Sequence, residues 1–180
     1  MSQITITEAL AEIKTITKRI EKKHEFVLMY LGRQEAARDP LEKDGGSVPV
    51  IRAERQAISD LQLRTVVIRR RIQSANEANN ITVEGETRSI ADWLVWRREV
   101  APQVKALNDK MRNVINNARA QAKKKDARVV ESGTPGADFN DIVINISESD
   151  LARDMERMET VLGTLDGQLS LKNATIVIEI

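Results

Sequence analysis

The fold of this chain is decided by residues 6–31, ITEALAEIKTITKRIEKKHEFVLMYL. One helix face is marked there by positions alternately three and four residues apart, at Ile6, Leu10, Ile13, Thr17, Ile20, His24, Val27 and Leu31. Such spacing produces the narrow stripe by which long helices pack against each other. We therefore predict a first helix from about Thr7 to Gly32 whose stripe faces another helix.

The same spacing recurs in three later segments. It predicts a second helix over about 50–79 that pairs antiparallel with the first, a third from Ser89 to about Lys123, and a fourth after Ser147. Pro102 donates no amide and is expected to kink or restart the third helix. The expected stripes are Ile58, Leu61, Thr65, Ile68, Ile72 and Ala75; then Ile90, Trp93 or Leu94, Val100, Val104, Leu107, Met111, Val114 and Ala118; then Leu151, Met155, Met158, Leu162, Leu165 and Leu169.

Short stretches rich in β-branched residues predict a small β element. Residues 81–83 before Gly85 indicate an extended excursion that could close as a small hairpin. Residues 128–131 and 138–146 predict two strands around a Pro-Gly turn. Residues 174–180, ATIVIEI, predict a strand at the end of the chain. Its expected partner is the 141–146 strand, and pairing with another subunit is the alternative.

The fold class expected from these elements is mainly α: a long antiparallel helical bundle with coiled-coil-like hairpins and a small β element near the C-terminus. A chain of 180 residues is a normal size for one domain. Within it we expect residues 1–125 to form the long-helix bundle. Residues 126–180 are expected to form a strand, a helix and a strand that pack on that bundle.

The composition argues against several classes of protein. The 28 basic and 27 acidic side chains leave a net charge of +1, so no whole-chain field attracts nucleic acid or an anionic membrane. The absence of cysteine removes disulfides and thiolate chemistry. No apolar run approaches the roughly 18 residues of a membrane span, and the first residues lack a signal-peptide pattern. We predict a cytoplasmic protein, or a virion protein if a phage encodes it, with no membrane partner.

Motifs that carry catalysis or bind metals are missing from the sequence. It has no glycine-rich phosphate loop, nucleophile elbow, paired histidines or calcium loop. His24 is the only histidine, and we expect it to have a structural role, with pH-sensitive packing as the alternative. We predict no enzyme and no cofactor, although carboxylates that converge in a folded pocket would escape a sequence pattern.

Two groups of apolar residues are the predicted contacts with other molecules. Trp93 and Trp96 lie three residues apart and can share one side of the third helix, where core packing and partner anchoring are both open. An unpaired tail strand would also invite a further strand. The tail residues concerned are Ile176, Val177, Ile178 and Ile180.

Basic clusters on the second and third helices are the candidate phosphate contacts. They consist of Arg69, Arg70, Arg71, Lys123, Lys124 and Lys125. Consecutive helical residues point about 100° apart, so each triplet spreads around its helix. Solvated faces and ion pairs are the favoured interpretation. Nucleic-acid association through these clusters is the alternative function, and it predicts binding that weakens steeply with salt.

Several short stretches occur in a characteristic order. They are residues 8–10 (EAL) and 18–20 (KRI), 71–72 (RI) with Asn76, 89–94 (SIADWL) with Arg97, and 165–169 (LDGQL) with Asn173. In these stretches the chain resembles a family of small, sparsely characterised helical bacterial and phage proteins labelled septicolysin-like. It departs from the family pattern at Gln73 and Ala174. The resemblance implies a helical, oligomer-forming protein and supplies no catalytic residue.

The first functional hypothesis is therefore a non-enzymatic structural or assembly protein that forms a homo-oligomer. Its most concrete version, which draws on the resemblance, is a phage or prophage virion component. The expected partners are copies of the chain and other phage structural proteins. This hypothesis expects no nucleic-acid partner.

Overall fold

A computed structural model describes the backbone of residues 3–132 and 143–180, and the side chains of residues 3–123 and 143–180. The chain is mainly helical, with a small antiparallel strand pair that includes its last residues, as the sequence predicts. The elements are β1 (Gln3–Thr5), α1 (Ile6–Met29), α2 (Ser47–Ala78), β2 (Asn80–Val83), β3 (Glu86–Ser89), α3 (Ile90–Val95), a π-helical turn (Trp96–Val100), α4 (Ala101–Ser132), α5 (Glu148–Thr175) and β4 (Val177–Glu179). A short 3₁₀ turn, Glu42–Asp44, lies between α1 and α2.

Two compact units make up the chain. Unit 1 contains residues up to Asn80 together with Leu169–Ile180, and unit 2 contains Ile81–Gln168. The expected division after residue 125 falls inside α4. The two ends of the chain therefore belong to the same unit.

Unit 1 is built on a hairpin of α1 and α2. Lys23 pairs with Glu54 at 2.7 Å, and Glu12 pairs with Arg64 at 3.0 Å. The later residue of α1 thus pairs with the earlier residue of α2, and the earlier residue of α1 with the later one of α2. The two helices are therefore antiparallel, as predicted. The buried cluster between them and the strand pair is Ile6, Ala9, Ile13, Ile16, Ile68, Ile72 and Ile178.

The stripe on α1 differs in detail from the prediction. Ala9 and Ile16 are buried, whereas Leu10 is 37% exposed and Thr17 is exposed. His24, which was placed on the stripe, is also exposed. The buried face of α1 is rotated from the predicted stripe because the small Ala9 allows close approach of α2, and because Ile16 is more apolar than Thr17.

The tail strand β4 pairs with β1, at the other end of the chain. The antiparallel register places Ile4 opposite Ile178, and Ile178 joins the buried cluster. The expected partnership with residues 141–146 is wrong, because residues 143–146 form no strand. Residues 141 and 142 lie outside the described part of the chain. The β1–β4 pairing is favoured because both strands carry isoleucines toward the same helices.

The strand expected over residues 128–131 is also wrong. Helix α4 continues through this segment to Ser132. Its two consecutive valines cost little helix propensity, and they follow an Ala- and Lys-rich stretch that propagates a helix well. Most of the second expected strand, residues 138–142, lies outside the described residues.

Helix starts follow local capping chemistry. The Thr5 hydroxyl accepts from the Glu8 amide at 3.2 Å, while the Glu8 carboxylate accepts from the Thr5 amide at 2.8 Å. With Thr5 as its cap, α1 begins at Ile6, one residue before the predicted start at Thr7. Ser89 caps α3 by accepting from the Asp92 amide at 3.0 Å, as predicted. The hydroxyl of Ser147 accepts from the Asp150 amide at the start of α5.

Unit 2 begins with the predicted small hairpin. Glu84 and Gly85 connect β2 to β3, and both have positive φ angles, 49° and 79°. Two such residues form the tight turn whose twist matches that of paired strands. The expected interruption near Pro102 takes the form of the π-helical turn, in which the Ala101 amide donates to the Trp96 carbonyl.

Candidate functional site

The two tryptophans lie at different depths in unit 2. Trp93 is 2% exposed, and its indole N–H donates to the Ile81 carbonyl at 3.3 Å. The guanidinium of Arg88 lies 5.0 Å from the centre of its ring. Trp93 thus fastens the β2–β3 hairpin to α3 and offers little surface to a partner. Trp96 is half-buried and packs edge-on against Trp93, with ring centres 5.5 Å apart.

The tail residues share a different arrangement. Ile178 is 6% exposed and packs in the unit 1 core, with Ile176 and Ile180 half-buried beside it. Val177 points outward and is 55% exposed. The side chains predicted as partner contacts are therefore largely occupied within the chain, and only Val177 is freely presented.

The basic clusters belong to different units of the chain. Arg69, Arg70 and Arg71 are exposed on α2 in unit 1. Lys123 is exposed on α4 in unit 2, and the side chains of Lys124 and Lys125 lie outside the described residues. The structure brings the Arg triplet to the surface but spreads it around the helix, as the 100° rotation per residue requires.

Unit 2 contains a second long antiparallel helix pair, α4 with α5. Arg119 pairs with Glu148 near one end, and Arg97 of the π-helical turn pairs with Asp166 at 2.9 Å near the other. The α4 stripe that faces α5 is Ala101, Val104, Asn108, Met111, Ile115, Ala118 and Ala122. Its spacing of three and four is the heptad pattern of a coiled coil.

The α4 stripe corrects the sequence prediction. Leu107 and Val114 were expected to be buried but are 57% and 67% exposed, whereas Asn108 and Ile115 are each 7% exposed. The α5 stripe agrees with the prediction, and Leu151, Leu165 and Leu169 are buried along it. The prediction used the spacing of apolar residues, so it could not identify the polar Asn108 as a stripe residue.

The contact between α4 and α5 is open along its middle. Met155, Met158 and Leu162 on α5 and Val104 and Met111 on α4 remain half-buried. Two adjoining cavities of about 330 Å³ and 410 Å³ follow one side of the helix pair. We call them together the seam groove. Its lining includes Lys105, Asn108, Asp109, Arg112, Met155, Met158, Glu156 and Glu159.

Asn108 lies at the centre of this opening. Its side chain is 7% exposed. Within the described residues, the one fully buried side-chain oxygen or nitrogen without a hydrogen bond is Oδ1 of Asn76 on α2, in unit 1. Asn108 lines the seam groove and also a cavity of about 310 Å³ on the other side, next to Trp96 and the hairpin.

The rims of the seam groove carry opposite charges. The charged side chains that line the groove are Lys105, Asp109 and Arg112 on α4 and Glu148, Glu156 and Glu159 on α5, a net charge of +1 on α4 and −3 on α5. Arg112 pairs with Asp109 on the same helix, and Glu148 pairs with Arg119.

Side chains that could hold a metal ion are not clustered in the described residues. No group of three or more His, Cys, Asp or Glu side chains lies close enough there to hold a metal ion. The pKa values of Glu8 and Asp39 are lowered, but both carboxyls cap helices in unit 1. In the described part of the chain, every helix is too short or too polar to cross a membrane.

Comparison with known proteins adds no relative. No family model, no curated protein and no solved structure matches this chain.

Proposed function

We propose that this chain is a non-enzymatic structural protein that assembles with copies of itself through its helix surfaces. The observation that carries the proposal is the open seam of α4 and α5, where the apolar stripe residues stay half-buried. Helix stripes of this kind are normally covered on folding or on assembly.

A second set of exposed apolar residues supports assembly through helices. Leu63, Val66 and Val67 lie on α2 outside its contact with α1 and are each about half exposed or more. Residues spaced three and four apart on a helix share one face, which a further helix can cover. The tail contributes less, since β4 is already paired within the chain. The helices are therefore the better candidates for contacts between copies.

The phage or prophage version of this proposal rests on the septicolysin-like resemblance. In that version the assembled copies form part of a particle, together with other structural proteins.

The experiment that tests self-assembly is light scattering on the purified chain over a wide range of concentrations. We expect a discrete oligomer. A mass equal to the 20.2 kDa chain at every concentration would overturn the proposal. Deleting the tail is a poor test, because loss of β4 would also strip Ile178 from the core of unit 1.

The alternative, association with nucleic acid through the basic clusters, has a separate test. Fluorescence anisotropy with labelled DNA and RNA at low salt would detect it. Under the structural proposal we expect no salt-sensitive binding of DNA or RNA. We also expect the anisotropy to be the same when Arg69, Arg70 and Arg71 are replaced by Gln.

A further inference from the structure

We propose that unit 2 contains a binding site for a small organic cation, in the cavity of about 310 Å³ next to Trp96 and the β2–β3 hairpin. The residues that line this cavity all belong to unit 2 of one copy, so the inference goes beyond the proposed self-assembly and does not depend on it. Ligand pockets range from roughly 300 to 1,000 Å³, and a volume at the lower end of that range limits the ligand to a small molecule.

The walls of the cavity are apolar and partly aromatic. They are formed by Val83, Trp93, Trp96, Val104, Met158 and Val161. Trp93 is 2% exposed, whereas Trp96 is half-buried and presents part of its indole ring to the cavity. Apolar walls with a few polar groups are the usual composition of a small-molecule site.

The π-helical turn places Trp96 beside this cavity. The Ala101 amide donates to the Trp96 carbonyl five residues back, so this turn contains one residue more than an α-helical turn. The extra residue rotates the following helix by about 100° from its regular position. Trp96 and Val104 therefore share one side of the helix, whereas a regular α-helix would set them about 80° apart. Single π-turns of this kind occur frequently at functional sites.

Exposed acidic side chains line the cavity. The charged residues of the lining carry a net charge of −2, from three acidic side chains and one basic side chain, which are Glu84, Glu86, Asp154 and Arg157. Glu86 pairs with Arg88. Within the described residues, Glu84 and Asp154 form no ion pair. Their carboxylates are therefore available to a cation.

An indole ring beside carboxylates selects a cation. The face of an indole is negative and attracts ammonium and guanidinium groups, and carboxylates add to this attraction while they repel anions. The chain itself shows the preference, because the Arg88 guanidinium lies 5.0 Å from the centre of the Trp93 ring. Trp96 offers the same kind of surface to a ligand. The ligand class is therefore an organic cation with a small apolar body, such as an alkylammonium compound.

The backbone of Glu84 supports a role for its carboxylate. Its φ of 49° is unfavourable for a glutamate, and an asparagine or glycine would suit the turn better. Residues held in such conformations cluster at ligand sites. A glutamate at this position gives the cavity a carboxylate at a cost to the stability of the hairpin.

Binding of choline tests the site, in comparison with its uncharged isostere, the alcohol in which a carbon atom replaces the nitrogen. Trp93 and Trp96 are the only tryptophans of the chain, so intrinsic fluorescence reports directly on the cavity. We expect a saturable change with choline, with a dissociation constant at least about tenfold lower than that of the alcohol. The absence of a saturable change, or equal binding of the two compounds, would overturn the inference.

Two variants change the charge of the lining in opposite directions. Glu84→Gln with Asp154→Asn removes two carboxylates and should raise the dissociation constant of choline by about three- to tenfold. Arg157→Gln removes the basic side chain and should lower it by about twofold. The matched control, Glu21→Gln with Glu25→Gln, removes two exposed carboxylates of α1 in unit 1 and should leave it unchanged. A cavity double variant that binds choline as tightly as the wild type would contradict the proposed site.

Circular dichroism verifies that each variant remains helical. If the cavity double variant fails to fold, NMR on the wild-type chain provides the test. We expect choline to shift the indole N–H resonance of Trp96, while the amide resonance of Ser47 in unit 1 stays in place. A Trp96 resonance that does not move at saturating choline would exclude this cavity as the binding site.

Discussion

At the scale of single residues, Thr5 shows how one hydroxyl sets the start of α1. It accepts from the Glu8 amide, and the backbone hydrogen bond from Thr5 is the main reason that the pKa of Glu8 is lowered. We expect Thr5→Ala to reduce the free energy of unfolding by about 1 kcal/mol, as for other lost N-caps.

Urea unfolding followed by circular dichroism would measure this loss. Thr15→Ala is the matched control, because Thr15 lies on the exposed side of the same helix and bonds only the Ala11 carbonyl. We expect that change to shift stability by less than about 0.5 kcal/mol. Equal losses in the two variants would contradict the role given to the capping box.

Asp39 holds the start of α2 from eight residues away. Its carboxylate accepts from the Ser47 hydroxyl, the Ser47 amide and the Leu41 amide, which together lower the pKa of Asp39 to about 2. Because the pKa is lowered from 3.8, the contribution of these bonds is complete above about pH 4 and is lost as the pH falls through 2.

NMR can follow this titration through the Ser47 amide resonance. We expect a midpoint near pH 2 in the wild type. Ser47→Ala removes the hydroxyl, the largest single cause of the shift, and should move the midpoint of the Asp39 carboxyl toward 3.8. A wild-type midpoint already at 3.8 would show that these hydrogen bonds do not form in solution.

At the scale of elements, the turn of the β2–β3 hairpin carries a residue poorly suited to its conformation. Glu84 has a φ of 49°, which disfavours most side chains but suits Asn. We expect Glu84→Asn to raise the free energy of unfolding by roughly 1 kcal/mol. Gly85→Ala should lower it by at least about 1 kcal/mol, because Gly85 also has a positive φ. Thermal unfolding of both variants measures these changes. If both variants changed the free energy of unfolding in the same direction, the backbone conformation of the turn would be contradicted.

At the scale of the whole molecule, the two ends of the chain are joined by the β1–β4 pair. Gln3 lies opposite Glu179, and Ile178 is buried against α1 and α2. We expect Ile178→Ala to lower the free energy of unfolding by about 2 to 5 kcal/mol, through lost burial and the cavity left behind. Its neighbour Val177 is exposed, so Val177→Ala should change stability by less than about 0.5 kcal/mol.

Urea unfolding of the two tail variants gives the comparison. A tail that serves mainly to bind another copy would reverse the result, because Val177→Ala would then dissociate the oligomer while Ile178→Ala left unfolding unchanged. The pair of variants thus separates the observed pairing within the chain from strand addition between chains.

The sequence by itself determined the helices and most of their starts. Spacing of three and four residues is a local property, and so is the reach of the Ser89 and Ser147 hydroxyls to amides three residues on. The stripe of α5 was predicted correctly because its leucines and methionines stand among polar neighbours. The sequence also contains no recognisable catalytic motif. It limited the candidate surfaces for contact with other molecules to the helices and the tail strand.

Tertiary structure alone decided which of two adjacent residues faces inward and where the tail goes. Ala9 rather than Leu10, and Asn108 rather than Leu107, are buried, because a step of one residue turns a helix face by 100° and only the opposing helix selects between such faces. The partner of β4 lies 176 residues away in sequence. A local pattern carries no information about so distant a strand, whereas packing of Ile4 and Ile178 on the α1–α2 core makes that one pairing favourable.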